Sequence, residues 1–447
     1  MIEQQYIDLF NSNRSEIDAN SSKGLNKHRD AAFEAFSKLG FPTSRLEDYK
    51  NTNIARLFDA ELGVNTGNTP VQVNPYETFE CDVPNLDTHL YFLVNDRYYE
   101  NGDREAAPLE KKVFAGSLRR FSEEHPKLFK KHYAQIAQSA ENGIAAYNTM
   151  FAQDGFVLYI PENVAIEQPL QLINILRSDV SLNVNRRLLV IAERNAQAKL
   201  LVCDHAVDDV DFVVTQVTEI FADRDSNIDF YELEENSSRT HKINKIYSDQ
   251  KENSHVNISS ITLHNGLTRN DFRSSLSGRN AELHIGGLVI SDKEQHTDNF
   301  VFIDHAVADC HSNQLFKYAL KDRSTGVFCG RIRVEKDAQR TLAYQNNQNL
   351  LVSDSARMYS KPQLEIYADD VKCSHGLTTG HLDDDALFYL QARGIPKTES
   401  EMLLMVAFTK DVVDMVRIES LRERLELLIE KRFRGELMRC GSCAVCK

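Results

Sequence analysis

The sequence predicts a mainly β protein, with a long strand-rich body held between two helical ends. Three observations predict it. From Gly155 to about Tyr367, short β-prone segments follow one another with no convincing long helix between them. Asn, Asp and Gly turns punctuate them throughout. Helical apolar periodicity is found only before and after this stretch.

At the N-terminal end, Arg29-Asp-Ala-Ala-Phe-Glu-Ala-Phe-Ser-Lys-Leu-Gly40 places Ala32, Phe33, Phe36 and Leu39 at helical spacing. Gly40, with Pro42 beyond it, is positioned to end that helix. His89–Asn95 reads as a strand that turns at Asn95–Asp96 into a second strand through Tyr98–Tyr99. Leu118 to about Ala140 reads as helix again.

In the body, Phe156–Ile160, Leu170–Ile175, Arg187–Ile191, Ala198–Val202, Phe212–Val217, Asn257–Leu263, Ala281–Ile285 and Val327–Val334 read as strands. The turns between them include Glu193-Arg-Asn195, Asp223-Arg-Asp-Ser-Asn227 and Ser277-Gly-Arg-Asn280. Without crossover helices, a doubly wound sheet does not fit. A solenoid of stacked rungs does, and so does a large sandwich. The amide-rich Gln345-Asn-Asn-Gln-Asn349 suits stacked turns and favours the solenoid, although no crisp repeat is visible.

Beyond the body, Asp383 is placed to cap a helix closed by Gly394 and Pro396. Thr398-Glu-Ser-Glu401 has the spacing of a capping box. It would open a long helix with a stripe of Leu403, Leu404, Ala407, Phe408, Val412 and Met415. Ser420-Leu-Arg-Glu423 would cap another, with Leu421, Leu425, Leu428 and Ile429 facing inward. The expected organisation is a helical and mixed region over 1–150, a β body over 151–382, a helical region over 383–439 and a Cys-rich tail over 440–447.

Composition narrows the function. The chain has 447 residues, 42% hydrophobic and 26% charged, as in globular proteins with a sizeable core. No apolar run reaches the ~18 residues of a membrane helix. The first residues lack the pattern of a secretory signal, so the cytoplasm is the expected compartment. A net charge of −14 opposes nucleic-acid binding. No phosphate-loop motif, GxGxxG, GxSxG or HExxH is present, so neither a nucleotide site nor a catalytic site is expected.

Eight cysteines are present. Cys81, Cys203, Cys310, Cys329 and Cys373 are scattered and read as reduced thiols. Cys440-Gly-Ser-Cys443-Ala-Val-Cys446 has the spacing of metal and Fe–S sites. With a fourth ligand from elsewhere, Cys440, Cys443 and Cys446 would hold a metal. A mobile tail and a carrier of persulfide sulfur fit the same residues. His305, Cys310 and His311 lie close in sequence, but their spacing suits rung or turn structure. Glu365, Asp369 and Asp370 suit solvated or interface positions better than acid–base catalysis.

The densest pattern runs from Asp304 to Gly394. It contains Gly326-Val-Phe-Cys-Gly330, Ala338-Gln339, Ala343-Tyr-Gln345, Ser360-Lys-Pro-Gln-Leu-Glu365, Ala368-Asp-Asp370, His375-Gly376 and Asp385-Ala-Leu-Phe-Tyr-Leu390. This order resembles the core domain of the SufB/SufD family of Fe–S cluster assembly proteins. Gly40-Phe-Pro42 and Arg45-Leu-Glu-Asp-Tyr-Lys50 resemble the same family near the N-terminus. Cys373-Ser-His-Gly376 is similar to the SufD form of a motif that reads Glu-His-Glu-Ala in SufB.

The resemblance implies a right-handed parallel β-helix flanked by helical regions. It implies a heterodimer with SufB through the β-helix cores, and a SufC ATPase held by the C-terminal helices, so that nucleotide is hydrolysed on another chain. A homodimer is possible when the chain is alone. A transient Fe–S cluster or iron would be held at the SufB interface, with His375 as the ligand from this chain. Cys373, two residues earlier, would face the same side of a strand and is either a second ligand or an inert thiol. Two alternatives remain. One is a SufB-like primary scaffold, which the Cys-Ser-His-Gly form disfavours. The other is a polysaccharide-cleaving solenoid enzyme, for which no convincing set of carboxylates is found.

Overall fold

The structure, a computed structural model, describes residues 2–59, 61–67, 74–75, 87–100, 109 and 112–435. Cys81 and the three tail cysteines lie outside these residues. The chain opens with helices α1 (Ile2–Ala19), α2 (Lys23–Asn26) and α3 (Arg29–Leu39). Gly40, at φ +61°, ends α3 as its position predicts and donates its N–H to the Phe36 carbonyl. Ala32 and Phe36 are buried, whereas Leu39 is exposed. An aromatic cluster of Tyr6, Phe36, Phe41, Phe58 and Tyr147 closes this region, with Phe41 and Phe58 stacked at 3.9 Å between ring centres.

Strands β1 (Gly63–Val64), β2 (His89–Val94), β3 (Arg97–Tyr98) and β4 (Phe114–Ser117) follow. The helix expected from Leu118 to Ala140 is two shorter ones, α4 (Leu118–Glu124) and α5 (Pro126–His132). Pro126 separates them, because the residue before a proline avoids helical geometry. Helix α6 (Gly143–Phe151) escapes sequence analysis. Each of its residues is buried, so it has no polar face to give a periodic signal.

The body is a β-solenoid of about eight turns. Its strands, numbered in chain order, alternate between two sheets. One sheet holds β5 (Phe156–Ile160), β7 (Leu182–Ala192), β9 (Phe212–Ala222), β11 (Thr240–Gln250), β13 (Leu267–Leu276), β15 (His296–His305), β17 (Thr325–Val334) and β19 (Arg357–Ile366). The other holds β6 (Leu170–Leu176), β8 (Gln197–Ala206), β10 (Asn227–Glu235), β12 (His255–His264), β14 (Glu282–Ser291), β16 (His311–Leu320), β18 (Thr341–Leu351) and β20 (Val371–Gly380). Neighbours within each of these series run parallel and lie one turn apart in the chain, which excludes the sandwich. The β4 and β2 strands extend the two sheets at the N-terminal end.

The predicted turns form one corner of the solenoid. Asn163, Asn195, Asp225, Asn253, Asn280 and Asp309 all have positive φ there, a conformation Asn and Asp tolerate better than most residues. Their side chains stack from turn to turn: Asn195 donates to Asn163, Asn253 to Asp225, and Asn280 to Asn253. The Gln345–Asn349 run is not such a turn. It lies within β18, with Gln345, Asn347 and Asn349 buried.

The interior is divided lengthwise. One half is apolar, with Leu188, Ile228, Phe230, Ile258, Phe272 and Phe316 among its residues. The other is polar. Arg186 bonds Asp204 at 2.7 Å, and Lys242 bonds the same carboxylate at 2.6 Å and faces Glu232 at 3.8 Å. Glu234 accepts from the Thr268 hydroxyl. Burial alone would raise Asp204, but Lys242 and Arg186 outweigh it and hold the carboxyl down to about 2. At Glu234 burial wins over Lys242, and the carboxyl rises to about 7.

The outer face of the odd-strand sheet carries the N-terminal region. Tyr49 accepts from Lys245 at 2.8 Å and lies under the Arg269 guanidinium at 4.6 Å; Asp48 meets Arg331 at 3.3 Å. The Arg45–Lys50 motif is therefore a clamp. The other outer face carries α7 (Asp384–Ala392), α8 (Lys397–Val413) and α9 (Glu419–Phe433). Asp383 caps α7 by accepting from the Ala386 N–H. The two capping boxes are corrected: Pro396 and Ile418 precede α8 and α9, so Thr398 and Ser420 lie inside their helices. The buried stripe of α8 is Met402, Met405, Thr409, Val412 and Val413, and Leu403 is exposed. On α9, Leu421, Leu425, Leu428 and Ile429 face inward as predicted.

Glu234 gives a pH-dependent test. Its proton is held more tightly in the folded chain than in the unfolded one. Its penalty therefore grows as pH rises from about 4.5 through 7. Glu234→Gln should gain about 1–3 kcal/mol of stability at pH 8 and little or nothing at pH 4.5. Thermal melts of both proteins at the two pH values check this.

Candidate functional site

The solenoid ends at β19 and β20, and the inner face of its last turns is open at this end. The sequence-predicted ligands are here. In β20, Cys373 stands in register with Ala343 and His375 with Gln345. Because Ala343 and Gln345 are buried, Cys373 and His375 share the inward face of the terminal rung. Cys373 is half-buried against Ile332, Val334, Ala338 and Ala343, while His375 is exposed. Burial pushes the Cys373 thiol above its ordinary value, opposed by a backbone hydrogen bond from Ala343. It is protonated at neutral pH and must lose that proton to bind a metal.

A polar file leads from this mouth inward. Gln314, Gln345 and His375 occupy one register column on three successive turns. The Gln345 amide lies across the interior against Gly330, where a Cβ would fall 2.4 Å from its Oε1. The glycine in Gly326-Val-Phe-Cys-Gly330 and the glutamine in Ala343-Tyr-Gln345 are thus two halves of one packing contact. Beside it, the Ser360 hydroxyl donates to Asn347 at 2.7 Å, and Asn349 donates to the Thr379 hydroxyl at 3.1 Å. The amide run carries hydrogen bonds between the last two turns of the mouth.

Among the exposed residues of β19, β20 and the loop between them are three large apolar side chains, Ile366, Tyr367 and Leu377, beside charged ones such as Asp369, Asp370 and Lys372. Among the described residues both sheets stop here, so β19 and β20 each have a neighbour on one side only. Imidazole and thiol are good ligands for iron, but the mouth offers few of them. Among the described residues, no group of three or more His, Cys, Asp or Glu side chains is placed to hold a metal ion by itself.

Three of the other residues singled out from sequence make structural contacts. His305 is buried and bonds the Ser312 hydroxyl at 2.8 Å. Cys310 is buried in the following turn and donates its thiol to the Gly278 carbonyl. Glu365 pairs with Arg331 at 3.5 Å. The buried Asp204–Lys242–Glu232 network was not found from sequence. Its only trace there is Glu232-Leu-Glu234, with two carboxylates on one strand face.

The family model described as "SUF system FeS cluster assembly, SufBD core domain" matches residues 175–408, more than half of the chain. The chain belongs to the SufBD family. A second model, "SufBD protein N-terminal region", matches residues 1–172. Among curated relatives, the iron–sulfur cluster assembly protein SufD of Escherichia coli is 36% identical over 176 residues, 39% of this chain and 42% of that protein. An iron–sulfur cluster assembly SufBD family protein of Synechocystis is 29% identical over 294 residues, 64% of this chain and 65% of that protein. SufD of Bacillus subtilis is 25% identical over 354 residues, covering 78% of this chain and 80% of that protein. These relatives mark the SufBD-family chain as SufD-type.

The environment of Cys373 makes a prediction. In the intact protein, iodoacetamide should label Cys373 more slowly than in urea, with a rate still rising above the pH where an ordinary thiol has levelled off. Buried Cys203, Cys310 and Cys329 should label more slowly still. Peptide mapping by mass spectrometry separates the four sites. Equal rates for Cys373 in both states would remove the half-buried thiol described here.

Proposed function

We propose that this chain is a non-catalytic subunit of an Fe–S assembly complex. It joins SufB end to end through the open solenoid mouth and supplies His375, with Cys373 beside it, to a cluster forming between the two subunits. The observation that carries this reading is the coincidence of two features: β20, which bears both donors, is also the edge strand of its sheet among the described residues. An exposed strand edge is a template for adding another chain, and the exposed apolar side chains of Ile366, Tyr367 and Leu377 suit burial against a partner.

A mixed imidazole and thiolate ligand set suits a scaffold that must release its product, since it holds a cluster more loosely than four thiolates. The cluster and its iron are cargo here. The C-terminal helices suit a contact with the SufC ATPase, because Phe388 and Tyr389 on α7 are 74% and 57% exposed. The Cys440, Cys443 and Cys446 tail is a further thiol source for metal or sulfur. If removal of residues 440–447 leaves assembly and metal content unchanged, the tail has no such part.

The test is anaerobic reconstitution with SufB and SufC, comparing wild type with His375→Ala by absorbance and iron assay. The variant complex should assemble normally and carry little cluster. Unchanged cluster content would make His375 structural. Independently, Leu377→Lys should weaken association with SufB in sedimentation experiments by about tenfold or more, since a charge would be buried at the joint.

A further inference from the structure

The column that ends at His375 changes character just beneath the mouth. From the deep end outward, its inward-facing members on successive turns are Phe230, Ile258, Ile285, Gln314, Gln345 and His375. The first three belong to the apolar core. Gln314 and Gln345 are as buried as these, at 0% and 2% exposure. Yet neither amide has a partner. They are the only two side-chain amides among the described residues whose oxygen and nitrogen are both buried and unpaired.

The polar half of the interior shows what such amides do elsewhere in the fold. Gln216, Asn244, Asn270 and Asn299 form another register column, one turn apart. They bond to one another along it, at 3.3, 3.2 and 2.9 Å. The step between strand neighbours, about 4.8 Å, is therefore one that stacked amides can bridge. A buried amide left unpaired carries its full desolvation penalty, which leucine at either position would avoid. The one polar side chain that continues the Gln314–Gln345 column is His375. Gly330 leaves the space in which the Gln345 amide lies, since a Cβ there would fall 2.4 Å from its Oε1.

We propose that Gln345 is a positioning residue for His375. Its Oε1 accepts the N–H of the imidazole nitrogen nearer the interior, and its Nε2 donates to the Gln314 Oε1. Small rotations of the two glutamine side chains complete this ladder. The second imidazole nitrogen then keeps its lone pair and faces the open mouth. A histidine that binds metal through one nitrogen commonly hydrogen-bonds through the other, which fixes its tautomer and ring orientation. The inference rests on the reading of His375 as a cluster ligand and adds how the chain presents it.

The test uses the full chain with 15N-labelled histidine, His375 being assigned by its absence from His375→Ala. Above neutral pH the two ring nitrogen shifts report the tautomer. Wild type should show a single tautomer at His375. Gln345→Leu should return it to the mixture of an unconstrained imidazole, and Gln345→Glu, which keeps an acceptor, should preserve the single form. Gln345→Met carries the same prediction if the leucine variant does not fold. A mixture in wild type, or shifts unchanged in the leucine or methionine variant, would overturn the proposal. No partner enters this readout, so it stands apart from the cluster reading. In reconstitution with SufB and SufC, Gln345→Leu should lower cluster content about tenfold. Full content in that variant, beside a His375→Ala complex that carries little cluster, would also overturn the positioning role. Full content in His375→Ala, with the tautomer still lost in Gln345→Leu, would leave the ladder in place and remove the cluster reading.

Discussion

Every strand in the body depends on a parallel neighbour one turn away for its backbone hydrogen bonds. That dependence sets the whole architecture. A strand in the middle has two such neighbours, and the two terminal rungs each lack one. The chain treats the two ends differently. At the N-terminal end, β4 pairs antiparallel with β5 and β2 lies beside β6, so both sheets are continued by the preceding region. At the C-terminal end, β19 and β20 are the last strands of the two sheets among the described residues, each with one side unpaired. A solenoid end left bare is costly unless something covers it, and this end carries the cysteine and histidine of the family motif.

The sides of the solenoid are covered as well, each by different chemistry. The N-terminal region rests on charges buried in the odd-strand sheet. Arg187 pairs with Glu219 at 2.7 Å, and Glu219 also accepts backbone N–H groups from Ala134, Ile136 and Ala137. Such pairs specify where a segment sits, because removing one partner leaves the other charge buried alone. The C-terminal helices rest mainly on apolar area, with Val412, Leu421, Leu425 and Leu428 packed over Phe92, Leu201, Tyr231 and Leu288. The middle turns are thereby enclosed, while the final turns keep the exposed residues that a partner would need.

The mouth and the residue columns elsewhere on the solenoid arise from the same geometric rule. Stacking turns in register brings into line residues that are far apart in the chain. At the mouth it lines up Gln314, Gln345 and His375 on the inner face. On the outer face it lines up His255, Glu282 and His311. Inside, it joins Asp204, Lys242 and Glu232 into a network that crosses from one sheet to the other.

Much of the local structure was legible in the sequence. The turn at Glu193–Asn195 and its counterparts, the ends of α3 at Gly40 and of α7 at Gly394, and the Asp383 cap each rest on one residue's intrinsic preference. So do the strands, because β propensity along a single segment is a local signal. The motif around His375 identified the family for the same reason. The stacking was decided only by tertiary structure. The step from one turn to the next varies from 26 residues, His241 to Leu267, to 32, Thr325 to Arg357. A repeat of changing length leaves no periodic trace in the sequence. Which residues meet across turns is fixed by hydrogen bonds between strands and by how much chain each corner takes up. The buried stripe of α8 moved off Leu403 for a related reason, since the surface it packs on chose the face. Sequence alone therefore determined the strands it named, the Asn and Asp turns, the Asp383 cap and the family, which follow from short-range preference; the two capping boxes and the Gln345–Asn349 run were misplaced. The tertiary structure decided which residues align in columns, because those residues are separated along the chain by steps that are not constant.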